Sequence, residues 1–355
     1  MSHDQSTPAV RGPRQARTRA PSSLEDVAAL AQVSSATVSR ALRGLPNVSP
    51  VTRRRVFAAA EELNYIVSPS ASSLASGRMS TVGVVTPYIS RWFFAEVLNG
   101  IEHVLQESHF DLVLYIDADG KLFQQLPMKR RGDAVLFLTL PSDTPDVAQV
   151  ATLGVPVGSL GVEIPGFSSV KIDDVAGAEM AVNHLVSLGH RRIGTVTLDD
   201  DSSLAFPTSR DRDKGYRNAL RRAGISIDPN LVVAGKSSVE GGEAAAAQLL
   251  SCAESPTAIF VQSDEMAMGV LHLIRRAGLR CPEDISVIGF DDHQFSRVFD
   301  LSTVAQPAYA QGAQLARFVL DQVISGCDPQ RAQLRTSLII RGTTSPPVVS
   351  ARAFS

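Results

Sequence analysis

The sequence predicts a small all-α headpiece of helix-turn-helix type, followed by an α/β body of two doubly wound parallel-sheet lobes. Three observations carry this. Residues 24–65 hold three short, capped helical patterns in close succession. From Thr81 onward, β-rich runs alternate with helical patterns, the mark of parallel strands covered by helices on both faces. The strands are too many for one lobe, and 355 residues are enough for a head and two lobes.

The first helix is announced by Ser23-Leu24-Glu25-Asp26, a capping serine with acids in the first turn; Val27, Leu30 and Ala31 then share one face. Gln32-Val33 makes the turn. Ser34 is the second N-cap, and Val33 with Val38 forms a hydrophobic staple across it. The second helix buries Val38, Ala41 and Leu42, which turns Ser35, Ala36, Ser39 and Arg40 outward. So bare a face suits a helix in the major groove of duplex DNA, where Arg40 can pair with a guanine edge or a phosphate. Ser35 and Ala36 offer only a hydroxyl and a methyl, so they cannot specify many bases alone. A third helix opens at Ser49-Pro50, buries Val56, Ala60 and Leu63, and presents Arg53, Arg54 and Arg55 toward a phosphate backbone. Ser34, Thr37, Arg43 and Asn47 complete the expected DNA contacts.

In the body, strand-like runs fall at 82–85, 112–115, 134–137, 193–196, 258–261 and 285–288, with helical patterns between them at 95–107, 175–188, 214–222, 240–250 and 266–277. The expected organisation is a flexible basic arm at 1–21, a headpiece at 22–66, a serine-rich linker at 67–79 and the body at 80–355. Charge follows the same division. Residues 1–80 carry ten arginines against five acids, while the remainder carries 24 basic and 31 acidic residues. A basic head on an acidic body confines a nucleic-acid contact to one end. The arm is either a passive tail or a further phosphate contact. Cys252, Cys281 and Cys327 lie far apart without metal spacing and read as reduced thiols of a cytoplasmic, nucleoid-associated protein. No apolar run approaches a membrane span, and no apolar stretch follows the N-terminal arginines as a secretory signal requires.

The run Asp26-Val27-Ala28, then Val33-Ser34, Ala36-Thr37-Val38-Ser39-Arg40-Ala41-Leu42, Val48-Ser49 and Glu62-Leu63-Asn64-Tyr65 resembles the headpiece of the lactose/galactose repressor (LacI/GalR) family. The likeness continues to Gly342-Thr343-Thr344. It implies a homodimer on a pseudo-palindromic operator, and a hinge helix in the linker. There Leu74, flanked by Ala71 and Ala75, would wedge open a minor-groove base step. It also implies a body of periplasmic-binding-protein type I. The N-lobe would take about 80–173 and 307–334, and the C-lobe about 174–306 and 335–355, with crossings near Asp173, Pro307 and Leu334. A small effector, sugar-like, would sit between the lobes at the carboxyl ends of strands. No cofactor is expected.

For that effector the resemblance implies Asp291, at the end of a strand, and Arg212, three residues before Gly215-Tyr216. Thr208 and Ser263 are weaker contacts. One of Phe93 and Phe94 should line the cleft while the other packs inside. Asp264 is expected to cap the helix after it and Asp292 to cap a neighbouring turn; a solvated charge cluster with Arg210, Asp211 and Asp213 is the alternative reading of Arg212, and the family register favours Arg212 over Arg210. Departures from the family argue against copying any relative's effector. Ser237 stands where an aromatic is common, Gly161 where an acid is common, and the run 117–133 is short. In the head, Gln32 holds a position usually given to glycine. In the linker, Val67-Ser68 and Ser72 replace frequent Pro-Asn and arginine, so the hinge is expected to hold DNA less tightly.

Two other functions compete. A solute receptor would need export, which a DNA-binding head forbids. An enzyme would need a catalytic constellation, but HExxH, GxGxxG and a complete P-loop are absent, the seven histidines are scattered, and Asp199-Asp200-Asp201 reads as a solvated loop. No leucine heptad follows the body, which favours a dimer over a coiled-coil tetramer.

Overall fold

The computed structural model describes residues 22–42, 44–65, 79–117, 132–139, 150–198 and 207–348. The arm, Arg43, the hinge with Leu74 and Ala75, most of the short run at 117–133 and the 199–201 acidic loop lie outside these residues. The chain divides into two units, one ending at Arg78 and the other beginning at Met79.

The first unit holds α1 (Leu24–Ala31), α2 (Ser35–Leu42) and α3 (Pro50–Glu62). Ser23 and Asp26 form a reciprocal capping box, with the Asp26 amide 3.2 Å from the serine Oγ and the Ser23 amide 2.8 Å from the carboxylate. Ser34 accepts the Thr37 amide at 3.2 Å and Ser49 the Thr52 amide at 3.1 Å, so each helix begins where a hydroxyl takes an orphan N–H. Val27, Ala28, Ala31, Val38, Ala41, Val56, Ala59 and Ala60 make the core. Leu30, expected inward, is 43% exposed, and Leu42 and Leu63 are only half-buried. The small Ala28 and Ala59 take the inward places because short side chains let three short helices approach closely.

The second unit begins with β1 (Thr81–Thr86), α4 (Trp92–Glu107), β2 (Asp111–Ile116), β3 (Ala134–Phe137), β4 (Val157–Leu160), β5 (Ser168–Lys171), α5 (Asp174–Ser187) and β6 (Ile193–Thr197). It continues with α6 (Pro207–Arg222), β7 (Val232–Ala234), α7 (Val239–Leu250), β8 (Ala258–Val261), α8 (Asp264–Arg276), β9 (Ser286–Asp291), β10 (Ser302–Ala305), α9 (Ala308–Ser325), β11 (Arg331–Gln333) and β12 (Ser337–Ile339). One sheet has the order β11-β5-β4-β3-β1-β2 and the other β12-β10-β9-β8-β6-β7. All pairs are parallel except β10 with β12. The chain passes between the sheets three times, after Lys171, Ala305 and Gln333.

Apolar layers cover both faces of each sheet, which is why β3 and β8 are buried at every residue instead of alternating. In each sheet the strand order reverses at the first strand, between β1 and β3 and between β6 and β8. Such switch points open a crevice at the carboxyl ends. Helix α6 starts two turns ahead of the expected 214, because its early buried face is Ser209 and Arg212, polar residues that hide the apolar period. Among the described residues, no helix is long and apolar enough to cross a membrane.

Candidate functional site

In the head, α2 presents Ala36 and Arg40 exposed, with Ser35, Thr37 and Ser39 half-buried and Ser34 exposed at the cap. Thr37 is tied to Ser34, hydroxyl to hydroxyl at 2.9 Å, so both serve the helix start as well as any groove. Asn47 is exposed at φ 68°, a left-handed position that asparagine tolerates. Gln32 takes the left-handed C-cap of α1 at φ 52°, the conformation in which a side chain costs about 1–2 kcal/mol. Two of the three α3 arginines also hold backbone carbonyls of the head. Arg53 is half-buried and donates to the Leu45 carbonyl at 2.9 Å, while Arg55 holds the carbonyls of Ala31 and Gln32 at the end of α1. These carbonyls lie at or just past helix ends, where the chain leaves acceptors unpaired, and Arg54 and Arg55 both remain exposed.

In the body, the strand ends enclose a cavity of 190 Å³. Phe93, Phe94, Thr208, Arg212, Ser263 and Asp291 all line it. So do residues that sequence reasoning missed, chiefly Asp174, Gln306, Gln311, Glu265 and Arg91. Asp174 sits where β5 hands over to α5, and Gln306 where β10 hands over to α9; two of the three crossings were themselves the signal.

Arg212 is 3% exposed and organises one wall. Its Nε donates to Asp174 Oδ1 at 2.8 Å, its Nη1 donates to the Gln262 carbonyl and lies 3.5 Å from Asp291 Oδ1, and its plane stacks 3.6 Å from the Phe290 ring centroid. The alternative of a solvated cluster does not describe Arg212, which is buried, while Arg210 is exposed and Asp213 pairs with Arg217. Asp291 ends β9 at φ 125° and accepts Gln306 Nε2 at 2.6 Å; Gln311 in turn donates to Gln306 at 3.1 Å. Burial pushes the Asp291 carboxyl up to about 6, against the pull of Arg212 and Gln306. Burial also raises Asp174, opposed by Arg212. Two acids around one guanidinium leave acceptors aimed into a space already out of bulk water.

The opposite wall is apolar, with Leu138, Leu160, Phe93 and Phe94. The two phenylalanines meet edge to face at 5.3 Å; Phe94 is buried in the lobe core and Phe93 is half-buried. Both nonetheless line the cavity. Gly161 and Ser237 line it too, at φ 80° and 46°. Lys236 and Ser237 are consecutive non-glycine residues in the left-handed region, at about 1–2 kcal/mol each.

The expected roles of Ser263 and Asp264 are exchanged in part. Ser263 is the N-cap of α8, accepting the Met266 amide at 3.3 Å, while Asp264 is the helix's first residue. Asp264 is fully buried and accepts Ser296 Oγ at 2.7 Å, Thr303 Oγ1 at 2.7 Å and the His293 amide at 2.9 Å. Burial, with the Asp291 charge nearby, pushes it up to about 8. Asp292, in turn, pairs with Arg341 at 2.7 Å.

Residues 23–68 match the family of bacterial regulatory proteins, lacI family, and residues 182–344 match the periplasmic binding protein-like domain. The chain is 37% identical over 333 residues to the HTH-type transcriptional repressor CytR of Escherichia coli strain K12, covering 90% of this chain and 96% of the relative. It is 35% identical over 340 residues to the HTH-type transcriptional regulator CelR of Thermobifida fusca, covering 92% and 98%. The Lac repressor dimer bound to operator and the anti-inducer ONPF superposes with a TM-score of 0.82 at 28% identity, covering 92% of this chain and all of that one. The CelR–cellobiose complex superposes with a TM-score of 0.67 at 33% identity, covering 91% and 99%. Head and body are matched together, over at least 90% of this chain, and the chain belongs to the lacI family of bacterial transcriptional regulators.

Proposed function

We propose that this regulator binds operator DNA as a homodimer through α2 and changes its DNA affinity when a small hydroxyl-rich metabolite, a sugar or sugar derivative, occupies the 190 Å³ cavity. The observation that carries this is the division of the cavity wall. Arg212, Asp291, Asp174 and Gln306 offer donors and acceptors on one side, and Phe93, Phe94, Leu138 and Leu160 offer a flat apolar surface on the other. A sugar ring has the same division, hydroxyls around its edge and C–H bonds on its face. The relative solved with cellobiose and a family member from Enterococcus faecium solved with ribose support the same ligand class.

Pairing is supported by exposed apolar side chains in the body. Val113, Leu114 and Ile116 lie on the edge strand β2, and Phe295, Val298 and Phe299 follow β9, with Val298 78% exposed. Apolar groups that form a contiguous exposed patch mark protein interfaces, and these two groups are the candidates. A DNA-binding role places the protein with the chromosome.

Two substitutions separate the functions. Arg40→Ala should weaken binding to an operator selected from genomic fragments by about 10- to 100-fold, the loss of one base-reading fork, without changing ligand-induced thermal stabilisation. Arg212→Ala should abolish that stabilisation in a screen of sugars and sugar phosphates. Loss of both properties in either variant would contradict the assignment.

A further inference from the structure

The loop after β1 reaches across the cleft to three separate segments of the other lobe. Arg91 lies over the Tyr88 ring of its own lobe, 4.3 Å from the centroid, and donates to the carbonyl of Ser237, 146 residues away. The Trp92 indole packs on the His293 ring at 5.1 Å. Burial raises the half-buried Glu265 carboxyl, and the Trp92 backbone N–H and the Arg91 guanidinium, which both face it, oppose that rise.

Each receiving group is fixed from below. Ser237 sits on a left-handed turn held by the Gly235 amide on Thr197 O at 2.8 Å and by Ser238 capping α7. Such strain persists only where the surroundings over-determine it. His293 accepts the Phe295 amide on Nδ1 at 3.0 Å, which leaves its ring neutral, and its own amide is held by Asp264. Arg91 and Ser237 both line the cavity, so their bond forms part of its wall.

We propose that Arg91 is a gate residue: its bond to the Ser237 carbonyl shuts the cleft with the protein's own groups and restricts the cavity to ligands of one ring. This rests on the reading of that cavity as the effector site. The left-handed turn at Lys236 and Ser237 accompanies a backbone carbonyl within reach of the guanidinium. A ligand extending past the first ring toward this wall meets the clasp and must break it.

Trp92 is the sole tryptophan of the chain and lies inside the clasp, so its fluorescence reads the gate in the full-length, ligand-free protein. Arg91→Ala should shift emission to the red and raise the acrylamide quenching constant about two-fold as the indole loses its stacked, sheltered place. Arg91→Lys, which keeps the charge but lacks the fork, should fall between the two and serves if the alanine variant does not fold. Unchanged quenching in both variants overturns the gate. In thermal-shift assays, ribose or glucose should stabilise the wild type and cellobiose should not, whereas Arg91→Ala should accept cellobiose. Equal stabilisation of the wild type by cellobiose and glucose overturns the size limit. If no sugar stabilises either protein, the sugar reading of the cavity falls, and the quenching alone decides the gate.

Discussion

At the scale of single residues, the cavity is a problem of acids and one base kept out of water. Asp291 carries the clearest consequence. Its folded-state value of about 6 lies above the ordinary 3.8, so the folded chain takes up a proton before the unfolded chain does. Between those values this group adds to stability as pH falls, and above about 6 its burial as an anion is a cost. Ligand binding has the opposite sense, because a ligand hydroxyl donates more strongly to the ionised carboxylate than to the neutral acid. Effector affinity, measured by titration calorimetry, is therefore expected to fall as pH drops from 7 to 5. Asp291→Asn should bind weakly at both values with a flat profile; an unchanged slope in that variant would remove Asp291 from the site. The buried histidines act in the other direction. Burial lowers His184, His190 and His293, so their protonation in the unfolded chain erodes stability as pH falls below about 6.5.

At the scale of elements, the close packing of α4 on α9 fixes where the clasp and the phenylalanines stand. The two backbones touch at paired glycines. A Cβ on Gly100 would lie 2.0 Å from the Tyr309 carbonyl, and one on Gly312 2.0 Å from that of Val97. No side chain fits there without separating the helices. Gly100→Ala should cost about 3 kcal/mol and lower the melting temperature of the body by several degrees, with weakened ligand binding through displacement of Phe93 and Phe94. A melting curve that superposes on the wild type would show that the helices part freely. In the head the equivalent economy lies with arginine. Arg55 ends α1 by taking its last carbonyls, so an arginine run that reads as a phosphate contact is partly a capping device.

At the scale of the whole molecule, the proposed regulator depends on pairing. Val298 stands 78% exposed, so a charge there leaves the folded chain intact while opposing any apolar interface. Val298→Asp should shift the protein from dimer to monomer by light scattering and weaken operator binding, since one head per half-site no longer holds the two together. Retention of the dimer would place the pairing surface elsewhere, with β2 the next to test.

What the sequence by itself determined is whatever local chemistry encodes. Ser23, Ser34 and Ser49 announce the head's three helices because a hydroxyl before a helical pattern takes an orphan N–H wherever the chain later lies. The parallel-sheet class follows from apolar runs such as 134–137 and 258–261, which can be buried on both faces only in such a sheet. Asp291 was readable as a strand end. The start of α6 was not, since a helix that buries Ser209 and Arg212 shows no apolar period. The three-residue strands β7, β11 and β12 are too short to show any period at all. Only the tertiary structure decided that Arg212 is shared by Asp174, Asp291 and a carbonyl, that Arg53 and Arg55 are spent on backbone, and that Arg91 meets Ser237. These partners lie between 8 and 146 residues apart in the chain. Which of several possible acceptors a long cationic side chain finds is fixed by how the elements pack, three helices in the head and two sheets in the body, and the local sequence carries no record of it.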